Sequence, residues 1–105
     1  MSNVLTVGEA MGLLVADQTG PLAEVEHFTR HVCGAELNYA VGMARLGHHV
    51  SYISKVGCDP FGQCICNFLQ QNQVDTACIG TDDQHMTGFQ MKEKVLSGDP
   101  PVANI

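Results

Sequence analysis

The spacing of apolar and polar positions changes several times along the chain, and each change marks an element. Val4 to Val7 is a short β-favouring run closed by Gly8, the pattern of a buried strand. Leu13 to Ala16 predicts a second strand, ended by the turn cluster Asp17-Gln18-Thr19-Gly20-Pro21. From His27 to Val32 the pattern alternates, with Phe28 and Val32 on one side and His27, Thr29 and His31 on the other. That predicts a half-exposed strand. Over Glu36 to Leu46 the period lengthens. Leu37, Ala40, Val41 and Ala44 follow the spacing of one apolar helix face. Arg45 suits the negative end of the helix dipole, and Gly47 supplies the stop. Val50 to Ser54 predicts the next strand, after a short connection. Asp59-Pro60 is a helix start, an N-cap carboxylate followed by proline at the first helical position. Phe61, Ile65, Phe68 and Leu69 form the apolar face of that helix. Val74 to Ile79 predicts a further strand. Strand and helix in alternation predict an α/β fold, a parallel sheet flanked by helices.

The last segment differs. Thr87 to Val95 alternates again, Phe89, Met91 and Val95 against Gln90, Lys92 and Lys94. This predicts a strand with one face covered and one wet. Ser97-Gly98-Asp99-Pro100-Pro101 is a turn signal, and Val102 to Ile105 reads as the start of a returning strand. The chain is therefore expected to stop within a hairpin.

Composition narrows the function classes. At 105 residues, 45% hydrophobic and 15% charged, the chain is one small globular domain or part of a larger one. Five Lys+Arg against eleven Asp+Glu, a formal charge of −6, argue against non-specific nucleic-acid binding and against polybasic membrane binding. The absence of Lys and Arg before Arg30 argues against a signal peptide. The longest apolar stretch, about Ala10 to Ala16, is far short of the ~20 residues of a membrane helix. A cytoplasmic location is expected. The five cysteines, Cys33, Cys58, Cys64, Cys66 and Cys78, are odd in number and are expected to be free thiols. Cys64 and Cys66, two apart in a helix, point to different sides. The five histidines show no ligand constellation, so no metal site is expected.

The segment with most chemical content is Cys33-Gly34-Ala35-Glu36-Leu37-Asn38. A glycine before a helix lets a ligand approach the backbone closely. The free N–H groups of the helix start can donate to that ligand, and the Asn38 amide both donates and accepts. The combination suits a polyhydroxylated ligand such as a sugar. An ordinary helix start, with Gly34 as a turn and Asn38 as a cap, accounts for the same residues. In Lys55-Val56-Gly57-Cys58-Asp59-Pro60-Phe61-Gly62, Asp59 is read as an N-cap. A Walker-type loop and a Gly-x-Gly-x-x-Gly are both missing, which disfavours a freestanding nucleotide binder.

Taken together, Gly8-Glu9, then Gly34-Ala35-Glu36-x-Asn38-x-Ala40, then Ala44-Arg45-Leu46-Gly47, then Val56-Gly57-x-Asp59-x-Phe61-Gly62 resemble the N-terminal third of the PfkB/ribokinase family of carbohydrate kinases. The resemblance covers essentially the whole chain. It implies a ribokinase-like fold, with an α/β core over 1–8 and 36–79 and projecting lid strands over about 13–32 and 87–105. It implies sugar contacts from Gly34 and Asn38, and from Phe89 or Gln90 on the lid, although Phe89 reads equally as lid core. Cys33 stands where the family usually has a second glycine. Leu13 stands where ribokinase-like members carry a sugar-binding Asp. An apolar residue there suits a substrate that is itself an acid, because two like charges in one desolvated pocket repel. Gly-Ala-Glu-x-Asn and Thr87-Gly88-Phe89 look most like 2-keto-3-deoxygluconate (2-dehydro-3-deoxygluconate) kinases, with a fructokinase-like or ribokinase-like sugar kinase as the alternative. For the complete protein the resemblance implies ATP and Mg²⁺. The family's catalytic Gly-Ala-Gly-Asp is missing from this chain. Catalytic and cofactor-binding residues are therefore expected elsewhere, and these residues alone are expected to be inactive. A second alternative is a non-catalytic relative, a binding module or one that forms a homo-oligomer through its lid strands.

Overall fold

In the computed structural model, residues 3–96 and 102–104 are described. The turn expected over residues 97–101 lies outside them. The elements in chain order are β1 (Asn3–Val7), β2 (Met11–Thr19), β3 (Phe28–Cys33), α1 (Ala35–Arg45), β4 (His49–Gly57), α2 (Pro60–Gln71), β5 (Val74–Asp75), β6 (Ile79–Asp82), β7 (Phe89–Lys94) and β8 (Val102–Asn104). They build two sheets. In the first, β4 is central and pairs in parallel with β1, β5 and β6. In the second, the order is β3-β2-β7-β8.

The first sheet is the parallel α/β layer that the alternation of periods predicts. Its core joins Val50, Tyr52 and Val56 of β4 to Leu37, Ala40 and Val41 of α1 and to Ile65 and Leu69 of α2. Leu37, Ile65, Leu69 and Tyr52 are fully buried. Each such aliphatic side chain contributes about 1.5–3 kcal/mol by leaving water. The N-cap of α2 is as predicted, with Asp59 Oδ1 accepting from the Gly62 N–H at 2.8 Å.

The strand expected over Val74 to Ile79 is two strands. Val74–Asp75 pairs with the start of β4 and Ile79–Asp82 with its end. Between them the Ala77 N–H donates to the Asp75 carboxylate at 2.9 Å, and the Ile79 N–H to the Thr76 carbonyl at 3.1 Å. The Asp75 side chain thus competes with the ladder for the backbone and turns the chain out.

The second sheet extends beyond the predicted limits. Strand β2 runs through Asp17 to Thr19, residues expected in a turn, because Asp17 N–H donates to His27 C=O at 3.0 Å and Thr19 pairs with Lys94. The reversal comes at Gly20-Pro21 instead. At the other end, Thr87 lies before β7, and Val95 lies beyond it, 36% exposed. Residues Phe89 to Glu93 are all half-buried rather than alternately wet and covered. Helix α2 packs against this sheet through β2 and β3, and β7 keeps an intermediate exposure as far as Glu93.

Pairing register assigns the faces of this sheet. Leu13 lies between His31 and Gln90, Met11 pairs with Cys33, and Val15 lies between Thr29 and Lys92. Alternation then puts Met11, Leu13, Val15, Thr29, His31, Cys33, Gln90 and Lys92 on one face. Gly12, Leu14, Val32, Phe89 and Met91 are on the other, where Phe89 stacks on Phe61 of α2 with ring centroids 5.0 Å apart.

Candidate functional site

The junction of the two sheets is where β3 ends and α1 begins. Gly34 is the N-cap of α1 at φ 141°, a conformation that L side chains avoid. A Cβ at Gly34 would also lie 2.9 Å from the Glu9 carbonyl oxygen. Both facts require glycine here, and no side chain caps the helix start. Asn38 is not a cap. Its N–H makes the first helical bond, to the Gly34 carbonyl at 3.0 Å, and its side chain is exposed. Glu36 in the first turn covers Gly8, where a Cβ would fall 2.5 Å from the Glu36 Cβ. The Gly8-Glu9 and Gly34-Ala35-Glu36 motifs thus meet in space.

Gln90 joins this cluster from β7. Cys33 Sγ donates to Gln90 Oε1 at 3.8 Å across 57 positions of sequence. Burial pushes the Cys33 thiol up, and the Lys92 charge draws it partly back. Phe89 is placed differently. It packs on Phe61, with Gly12 beneath so close to the ring that a Cβ would overlap it. Of the four expected sugar-facing residues, Gly34, Asn38 and Gln90 therefore cluster around the β3–α1 junction. Phe89 faces α2.

A second network ties the sheets together and was not legible in the sequence. The Asp59 carboxylate accepts from the Thr87 N–H at 2.7 Å and from the Thr87 hydroxyl at 2.8 Å. The Thr87 hydroxyl in turn accepts from the Gly57 N–H at 2.8 Å. Burial acts to raise the Asp59 pKa, but the hydrogen bonds from Thr87, Gly62 and Phe61 outweigh it and hold the carboxyl below its ordinary range. The one available signal was Thr87-Gly88 directly ahead of an alternating run. Beside this network lies a cavity of 130 Å³, lined by Glu9, Lys55, Asp82 and His85 among others. It sits at the carboxyl ends of β1 and β4, where ligands of α/β sheets bind. A wider cleft of 460 Å³ runs between β3 and α2, away from the Gly34 junction.

Among the described residues no group of three or more His, Cys, Asp or Glu side chains could hold a metal ion. No helix among the described residues is long and apolar enough to cross a membrane.

The comparisons agree with the geometry. A model of the pfkB family carbohydrate kinases matches residues 1–99. The chain is 41% identical over 101 residues to the 2-dehydro-3-deoxygluconokinase of Bacillus subtilis (strain 168), covering 95% of this chain and 31% of that protein. It is 40% identical over 86 residues to the fructokinase of Salmonella typhimurium, covering 82% and 26%. Its fold matches the crystal structure of an uncharacterized sugar kinase from Pyrococcus horikoshii in complex with ATP. There the TM-score is 0.88 at 37% identity, over 97% of this chain and 33% of that one. The chain thus spans less than a third of the curated relatives it matches.

Proposed function

This chain belongs to the pfkB family of carbohydrate kinases, and from that membership we propose that it forms the sugar-facing front of an ATP-dependent kinase acting on a sugar acid. The substrate class we assign is 2-dehydro-3-deoxygluconate. In this reading the first sheet with α1 and α2, over 1–8 and 36–79, is the α/β core. The second sheet, β3-β2-β7-β8, belongs to a lid that closes over the sugar and excludes water. Gly34 exposes backbone to the sugar, Asn38 donates and accepts at its hydroxyls, and Gln90 reaches it from the lid. Phe89 supports Gln90 from behind through its stack on Phe61.

The observation that carries the reading is the Cys33–Gln90 contact, which draws the lid strand β7 to the Gly34–Asn38 segment. Support for the acid substrate comes from Leu13. It shares Gln90's face of the lid and pairs with it, so no carboxylate at that position would repel a sugar acid. The relatives include both a 2-dehydro-3-deoxygluconokinase and a fructokinase, and fructose phosphorylation is the second reading. When bound to the complete enzyme, ATP with Mg²⁺ would supply the phosphoryl group. The described residues of this chain bind and orient the acceptor and exclude water. Oligomers, in this account, form through the outer edge of β3, which among the described residues pairs with β2 alone. The location assigned is the cytoplasm.

The test is a chimera in which this chain replaces the matching part of the Bacillus subtilis enzyme. The chimera should phosphorylate 2-dehydro-3-deoxygluconate with higher kcat/KM than fructose. A preference for fructose would reverse the substrate assignment, and a folded but inactive chimera would remove the kinase reading.

A further inference from the structure

Among the described residues the chain passes between the two sheets at three places: residues 8–10, Gly34, and residues 83–88. The third passage changes partner within one peptide. Thr87 is buried and held by the core. Its N–H and its hydroxyl donate to the Asp59 carboxylate at 2.7 and 2.8 Å, and its hydroxyl oxygen accepts from the Gly57 N–H at 2.8 Å. The next residue is held by the second sheet. The Gly88 carbonyl accepts from the Gly12 N–H at 3.0 Å, and Phe89 pairs with Gly12.

The seat of Thr87 is tight. A Cβ at Gly57 would lie 2.5 Å from the Thr87 nitrogen and 2.7 Å from the His85 carbonyl oxygen. One at Gly62 would lie 3.2 Å from the Thr87 hydroxyl oxygen. Gly88 is different. Its φ is not positive, and a Cβ there would meet Met11 at 3.5 Å, an ordinary contact distance. This conformation does not require glycine at 88, whereas a backbone that also takes up a second conformation does. The contact of β7 with α2 permits such a change. Phe89 and Phe61 stack with their planes 12° apart, and offset rings shift past one another without breaking a directional bond.

We propose that the Thr87–Gly88 peptide is the pivot of the second sheet, with Asp59 and Thr87 as its positioning residues. Thr87 stays with the core while β7 turns about Gly88 and carries Gln90 toward or away from the Gly34–Asn38 segment. The proposal rests on the lid reading above and deepens it. Asp59 and Thr87 touch no sugar in this account, and what they set is where Gln90 stands when the lid is shut.

The test is relaxation-dispersion NMR on the 105-residue chain without ligand, which reads exchange on the μs–ms scale of lid motions. Amides of β2 and β7 should exchange together with one minor conformation. The Thr87 N–H should be protected from hydrogen exchange by more than the inverse of that minor population, a level that a bond broken at each opening cannot reach. Gly88→Ala should lower the minor population about two- to fivefold, the effect of narrowing a glycine's backbone freedom, and leave the urea midpoint unchanged. Gly80→Ala, away from the pivot, should leave the population as it is. If β2 and β7 exchange together but Gly88→Ala does not lower the population, or lowers it no more than Gly80→Ala, the pivot is overturned while the lid reading stands. Weak protection of Thr87, or a Gly88→Ala chain that loses stability, overturns it too. If β2 and β7 show no common exchange, the lid reading and the pivot fall together.

Discussion

The carboxylate of Asp59 accepts hydrogen bonds from both the backbone N–H and the hydroxyl of Thr87, at 2.7 and 2.8 Å. The two residues are 28 positions apart. One stands at the start of α2, the other just before β7. A single side chain therefore caps a core helix and anchors the strand that carries Gln90 and Lys92. Asp59→Asn should destabilise the chain by about 1–3 kcal/mol, the range for leaving partly buried donors unsatisfied. Thr87→Val should cost a similar amount, and Thr87→Ser much less. Urea unfolding of the single and double variants would show strong coupling between the sites, whereas additive losses would mean that the two residues act independently.

The same carboxylate sets an acid limit. Folding lowers the Asp59 pKa, because the hydrogen bonds it accepts outweigh the effect of burial. Below about pH 4, the ordinary aspartate range, the unfolded chain takes up a proton that folded Asp59 does not. Its contribution is thus complete above that range and drains away as pH falls through the folded pKa. Asp59→Asn should flatten the acid side of the stability profile, below about pH 4. An equally steep acid transition in the variant would assign it to other carboxyls.

Much of the fold could be read before any coordinates, and the reasons are local. The α1 face of Leu37, Ala40 and Val41 is periodic, and Asp59-Pro60 is a helix start that requires no tertiary context. The family motifs brought Gly34 and Asn38 forward for the same reason, since they sit within one short segment. What escaped was long-range. Nothing near Asp59 signals Thr87, and nothing near Cys33 signals Gln90. The division at Thr76 depended on Asp75 capturing a backbone N–H, and the side taken by Phe89 depended on Phe61.

Cysteine reactivity should follow exposure. Cys58 and Cys78 are exposed, while Cys33 and Cys66 are half-buried and their thiols are pushed up by burial. With iodoacetamide at neutral pH, mass spectrometry should find Cys58 and Cys78 modified first, because the thiolate is the reacting form. Early modification of Cys33 would contradict the closed Cys33–Gln90 contact.

Tyr52 offers a test of the core. It is fully buried, and among the described residues its hydroxyl has no hydrogen-bond partner. Ser54 is a polar neighbour, but the geometry falls short of a bond. Removing a buried, unpaired hydroxyl relieves a desolvation cost. Tyr52→Phe should therefore leave the urea midpoint unchanged or raise stability by about 1 kcal/mol. A loss of more than that would reveal a partner for the hydroxyl.

The central claim is that the β3–α1 junction and the lid face of β7 form one sugar-binding surface. Gly34→Ala in the 105-residue chain tests it most directly, since a Cβ there meets the Glu9 carbonyl and a forbidden φ. Amide NMR titration of the unaltered chain with 2-dehydro-3-deoxygluconate should shift the signals of Gly34, Asn38 and Gln90 together, and the variant should lose all three responses. Shifts confined to the cleft between β3 and α2, or a full response in the variant, would contradict the account.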